Sequence, residues 1–179
     1  MRFTVKKGNH FCSPRRFKLW LKPIGKTFTW RIKFDPNCKY ILPDEDQWDW
    51  NKIGGIDLDS PFSTMTNSIM GGWRYNPLTD KIELNAYFHN GKGTENRVMS
   101  PFMVEINPNE EIELEILIHK NAWDVGYKYD FSNNRKTWKF SKYSIVAKKA
   151  SALFATEIQF YFGGNQQAPQ DLSIDKVYI

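Results

Sequence analysis

Cysteine is nearly absent from this chain. Cys12 and Cys38 are the only two in 179 residues, too few for a disulfide framework or a thiolate zinc site. Both read as free thiols of a reducing compartment. The opening Met1-Arg2-Phe3-Thr4 has no apolar leader core, and no apolar run approaches the roughly 18 residues of a membrane span. A membrane is therefore not among the expected partners. His10, His89 and His119 lie far apart without ligand-pair spacing, and no metal is expected. Asp57-Leu58-Asp59 and the acids of residues 44–49 lack the tighter D-x-D-x-D spacing of a calcium loop. A nucleophile elbow, a phosphate-binding glycine loop and a dinucleotide fingerprint are missing too, so no cofactor is expected.

Acidic residues are also missing from one whole stretch. Residues 1–33 hold ten cations and no carboxylate, while the remainder holds 15 cations and 20 carboxylates, a net −5. The overall +5 thus hides a mildly acidic body behind a strongly basic start. Gly8, Pro14, Pro23 and Gly25 interrupt that start, which argues against a continuous core strand. Residues 1–26 are read as an extended arm that docks on a partner through Arg2, Lys6, Lys7, Arg15, Arg16, Lys18, Trp20 and Lys22. The alternative is an edge hairpin with its lysines turned outward.

What the chain does have is aromatic residues, at 16%, and 41% hydrophobic residues, which suffices for a packed core and excludes global disorder. Residues 27–34 alternate, with Phe28, Trp30, Ile32 and Phe34 on one face, the period of a half-buried strand. Residues 52–56 predict a short strand with a bulge at Gly54-Gly55, and residues 68–75 a longer one ending in a hairpin turn. Ile82, Leu84 and Ala86 then alternate with Glu83, Asn85 and Tyr87. Residues 111–119 are rich in glutamate, a helix former, yet their apolar positions fall at 112, 114, 116 and 118. That spacing fits a strand and no helical stripe. Residues 125–131, 137–140, 143–147 and 157–162 are further strands, with a turn at Asn133-Asn134. Residues 149–155 are the one expected helix, and the last strand should carry a bulge near Asp175-Lys176 because its apolar phase shifts there. About ten short strands predict an all-β, single-domain antiparallel two-layer β-sandwich, jelly-roll-like, over residues 27–179.

Two segments stand out as motifs. The first is Trp48-Asp49-Trp50-Asn51-Lys52-Ile53-Gly54-Gly55, followed by Asn67-Ser68-Ile69-Met70-Gly71-Gly72-Trp73-Arg74-Tyr75. The second is Tyr161-Phe162-Gly163-Gly164-Asn165-Gln166-Gln167-Ala168-Pro169. Together they resemble a family of small uncharacterised β-sandwich proteins associated with phages of the Bacteroidetes and their hosts. The resemblance implies an all-β fold in a phage-related setting, located in a virion or a host cytoplasm, and assigns no catalytic residue. Tyr161-Phe162-Gly163-Gly164 is also loosely similar to the Y-F-K-A-G strand of jelly-roll alginate lyases. Those enzymes carry R-x-E-L-R and Q-I-H segments as well. Here Lys81-Ile82-Glu83-Leu84-Asn85 lacks both arginines and Gln-Ile-His does not occur.

These observations lead to the expectation of a non-enzymatic structural, decorating or attachment protein of a virion. Its partners would be other protein subunits or further copies of itself, with nucleic acid less favoured, and uronic-acid polymers would not be turned over. The alternative is a glycan-binding, lectin-like module, with a polysaccharide lyase behind it. Its sugar platform would be Trp48, Trp50, Asn51 and Arg74, with Asn165 and Gln166 at the rim, because a pyranose has an apolar face and a polar edge.

Overall fold

The computed structural model describes residues 1–43, 45–59, 66–130, 138–149 and 152–179. It is a two-layer antiparallel sandwich. Sheet A runs in the order β12 (Trp138–Val146), β11 (Ala122–Asp130), β10 (Glu111–Ile118), β4 (Thr27–Phe34), β14 (Leu172–Tyr178), β1 (Arg2–Val5) and β2 (Cys12–Ser13). Sheet B runs β3 (Leu19–Leu21), β13 (Phe154–Ile158), β5 (Asn51–Asp57), β6 (Asn67–Asn76), β7 (Lys81–Asn90) and β8 (Arg97–Met99), with β9 (Val104–Ile106) also paired to β7.

Alternation builds the core. Phe28, Trp30, Ile32 and Phe34 of β4 face inward, as do Ile112, Leu114, Ile116 and Ile118 of β10. The glutamates of β10 then lie outward, where Glu113 meets Arg31 at 3.2 Å and Glu115 meets Lys128 at 3.1 Å. Cross-strand pairing of this kind overrides the helix preference of glutamate. From sheet B, Trp73 is fully buried and stacks on Phe160 at 5.6 Å, with Phe34 of sheet A at 5.3 Å. Register shifts between Lys52 and Gly54, the bulge that the glycine pair implied.

Three expectations fail, each for a physical reason. Residues 1–26 are not a separate arm: β1 and β2 belong to sheet A, β3 to sheet B, and Phe3, Val5 and Cys12 lie in the core. Gly8 and Gly25, both at positive φ, turn the chain there. Three of the arm's cations are used within the chain, Arg2 on Asp35, Lys6 on Asp171 at 2.7 Å, and Lys18 above the Tyr178 ring at 3.4 Å. Trp20 packs against Phe28 and Trp30. The described part of 149–155 is not helical, since Phe154 begins β13. Finally, β14 pairs with β4 from Ile174 to Tyr178 without a shift. Lys176 takes the inward position instead, bound to Glu157 at 2.9 Å, and Gly54 leaves the space its ammonium fills. The Asn133-Asn134 turn lies outside the described residues.

Candidate functional site

The outer face of sheet B, turned away from sheet A, is laid out in cross-strand rows. Lys52 lies opposite Gly72 and Gly72 opposite Asn85; Gly55, Met70, Tyr87 and Met99 form the next row; Asp57, Ser68, His89 and Arg97 form a third. Because side chains alternate along a strand, burying Ile69, Trp73, Ile82, Leu84 and Phe88 turns these polar residues to the other side.

Lys52 is the centre of this face. Its half-buried ammonium donates to the Trp50 carbonyl at 2.8 Å and sits 4.3 Å above the Tyr87 ring. Burial, with Arg97 adding repulsion, pushes its pKa down to about 8 against the opposing pull of Asp49. Tyr87 is buried too, which raises its phenol above the ordinary value and keeps it protonated against the opposing pull of Arg97. His89 stands at a right angle to Tyr87 at 5.5 Å, and its Nδ1 lies 2.9 Å from Ser68 Oγ. Asn85 is fully buried and its Oδ1 has no hydrogen-bond partner among the described residues. A Cβ at Gly72 would collide with that oxygen, so the amide lies over the glycine in the Lys52 row. An unpaired buried acceptor costs roughly 1–3 kcal/mol.

At the end of β5 two carboxylates have opposite environments. Burial, with repulsion from Asp59, raises Asp57 to about 6. Asp59 is held down at about 2, because hydrogen bonds from Thr66, Asn67 and Lys149 outweigh its own burial.

Of the residues expected to form a sugar platform, the structure brings Trp48, Trp50 and Arg74 together. The Arg74 guanidinium lies 4.3 Å from the Trp50 ring and 5.3 Å from Trp48, and its Nε binds Glu83 at 2.6 Å. Asn165 and Gln166 are exposed on the loop beside Asp49, which Gly164 approaches closely. Asn51 is withdrawn from any ligand: it donates to Tyr40 Oη at 2.9 Å and accepts from the Gly163 amide at 2.7 Å, so it braces the loop from inside. Sequence reasoning missed Tyr87, Arg97, His89 and Asn85 as one group. The signal was present in the polar half of the β7 alternation, where Glu83, Asn85, Tyr87 and His89 share a face.

No family model and no curated protein matches the chain. Its fold is that of solved glycan-active proteins. The alginate lyase from Klebsiella pneumoniae superposes with a TM-score of 0.56 at 12% identity, over 86% of this chain and 59% of that one. The polysaccharide lyase family-7 alginate lyase A1-II' superposes at 0.53 and 12% identity, over 88% and 64%. A Bacteroides ovatus mixed-linkage glucan GH16 protein superposes at 0.51 and 8% identity, over 99% and 80%. The chain therefore spans about three-fifths of the length of these two alginate lyases. Two expectations change here. The reading as a non-enzymatic protein is overturned, because the structures that share this fold are mostly enzymes. The phage and virion setting receives no support from them.

Proposed function

We propose that this chain binds an acidic glycan on the outer face of sheet B and cleaves it by β-elimination at Lys52 and Tyr87. The observation that carries the proposal is the half-buried Lys52 ammonium against the Tyr87 ring, with Arg97 beside the phenol. Elimination from a uronate needs a base for the C5 proton, an acid for the departing 4-oxygen and a cation for the carboxylate. Neutral Lys52 takes the C5 proton, the electron pair forms the C4–C5 double bond, and the C4–O bond breaks. Tyr87 gives its proton to the leaving oxygen, and Arg97 pairs with the carboxylate. Trp48, Trp50 and Arg74, with Asn165 and Gln166 at the rim, extend the platform. The similarity to alginate lyases adds support at the level of fold.

The test is to incubate the protein with alginate, polygalacturonate and heparin-like polymers and follow the ultraviolet absorbance of unsaturated uronate. Activity should rise with pH to a plateau above about 8, where Lys52 loses its proton. Tyr87→Phe should lower kcat by about 10²–10⁴-fold while glycan binding persists. Turnover that is unchanged in Lys52→Met and Tyr87→Phe would refute the assignment.

A further inference from the structure

One exposed feature of the basic segment is left without a role by its contacts inside the chain. Phe11 is 57% exposed, although its ring meets Tyr161 edge-on at 5.2 Å. The Arg15 guanidinium covers it at 4.5 Å from the ring centre and makes no ion pair among the described residues. His10 stacks on the same Tyr161 at 5.7 Å and is anchored by a contact of its Nδ1 with the Phe162 carbonyl at 2.9 Å. Backbone bridges place Phe11 opposite Tyr161 and Tyr161 opposite Lys52. The row on the outer face therefore continues past Lys52: Phe11, Tyr161, Lys52, Gly72 and Asn85.

Adjacent strands are about 4.8 Å apart, so Phe11 lies roughly 10 Å from Lys52 along the row, about the length of two linked sugar rings. An exposed aromatic face topped by an unpaired guanidinium suits a sugar ring that carries a carboxylate. Its neighbour Cys12 is held in the core, which fixes the backbone and pre-orders the platform.

We infer that Phe11, Arg15 and Tyr161 form a distal subsite for a second acidic sugar of the same polymer. The inference rests on the function proposed above, and it gives the basic segment a role in holding longer chains. Arg15 binds the carboxylate, Phe11 and Tyr161 carry the ring, and Lys52 lies two strands away at the scissile residue.

The experiment is calorimetric titration of the intact chain with size-defined galacturonate and mannuronate oligomers from two to six residues, and with cello-oligosaccharides of the same lengths. Wild-type affinity for the acidic oligomers should rise with length by about tenfold or more, the scale of one charge-assisted contact. Arg15→Gln, a surface change that leaves the core intact, should flatten that rise, as should Phe11→Ala; Arg15→Lys should restore part of it. Thermal melting of each variant checks the fold. A rise that persists in Arg15→Gln and Phe11→Ala, or an equal rise with the neutral oligomers, would overturn the subsite and leave the reading of Lys52 standing. If the wild type binds none of the acidic oligomers, both proposals fall.

Discussion

Replacing Lys52 by methionine should make the protein more stable at neutral pH while abolishing its chemistry. The amine is depressed from 10.5 to about 8, and the gap between its folded and unfolded values corresponds to about 3 kcal/mol. Methionine fills the same space without charge. It forfeits the bond to the Trp50 carbonyl and the contact with Tyr87, each about 1 kcal/mol. The net gain at pH 6–7 is about 1–2 kcal/mol, or a rise of roughly 2–8 °C in Tm for a chain of this size. The sign reverses with pH. Below pH 8 the lysine is charged in both states and its burial penalty is complete. Between about 8 and 10.5 the folded amine is neutral while the unfolded one is still charged, so unfolding takes up a proton and the wild type gains stability as pH rises. Above that range the wild type, with its hydrogen bond intact, should be the more stable of the two by about 1 kcal/mol. Urea unfolding of both proteins from pH 6 to 10.5 gives the difference directly, and other titrating groups cancel in it. A methionine variant that is less stable at pH 7, or a gap that stays flat to pH 10.5, would show that Lys52 is well solvated. The neutral base would then be lost with it.

Asp57→Asn should stabilise the protein by about 2–3 kcal/mol at pH 7. The folded carboxyl titrates near 6, so its favourable contribution is complete below the unfolded value near 4 and disappears as pH rises through 6; the two proteins should converge in melts near pH 4. Gly55→Ala should cost roughly 1–3 kcal/mol or more, because its Cβ would meet the backbone carbonyl of Ile69 on the neighbouring strand; chemical denaturation measures this. Deleting residues 1–26 removes Phe3, Val5 and Cys12 from the core, on the order of 5–9 kcal/mol at about 1.5–3 kcal/mol each. Total stability is about 5–15 kcal/mol, so the truncated chain should lack a cooperative melt at room temperature. A sharp transition near that of the full chain would refute the placement of β1 and β2.

Strands β4 and β10 were legible in the sequence because each has one core face, and a period of two survives any choice of partner. The segments β1 to β3 were not. Their punctuation by Gly8, Pro14, Pro23 and Gly25 looked like an arm, whereas it marks places where a short chain changes direction between two sheets. Lys176 misled for another reason. A lysine at an inward position reads as a phase error until Glu157, from a different sheet, is known to face it. The candidate site was half visible: Trp48, Trp50 and Arg74 stand close in sequence or on a readable strand. Lys52, Tyr87 and Arg97 meet only through strand register, which no single segment encodes.

The position of β14 between β4 and β1 has a consequence for how the protein is made. Phe3 is paired with Ile174, and Phe34 with the same isoleucine from the other side. While the ribosome is still adding residues, β4 has only β10 to pair with and β1 only β2. Sheet A is joined only when Leu172–Tyr178 emerges, so the β1–β2 ladder waits for a strand far along the chain. Pairings this distant in sequence place folding in the slow range of all-β domains, milliseconds to seconds. During that interval the apolar inner face of β4 is open to other nascent chains, which makes chaperone supply a determinant of yield on expression.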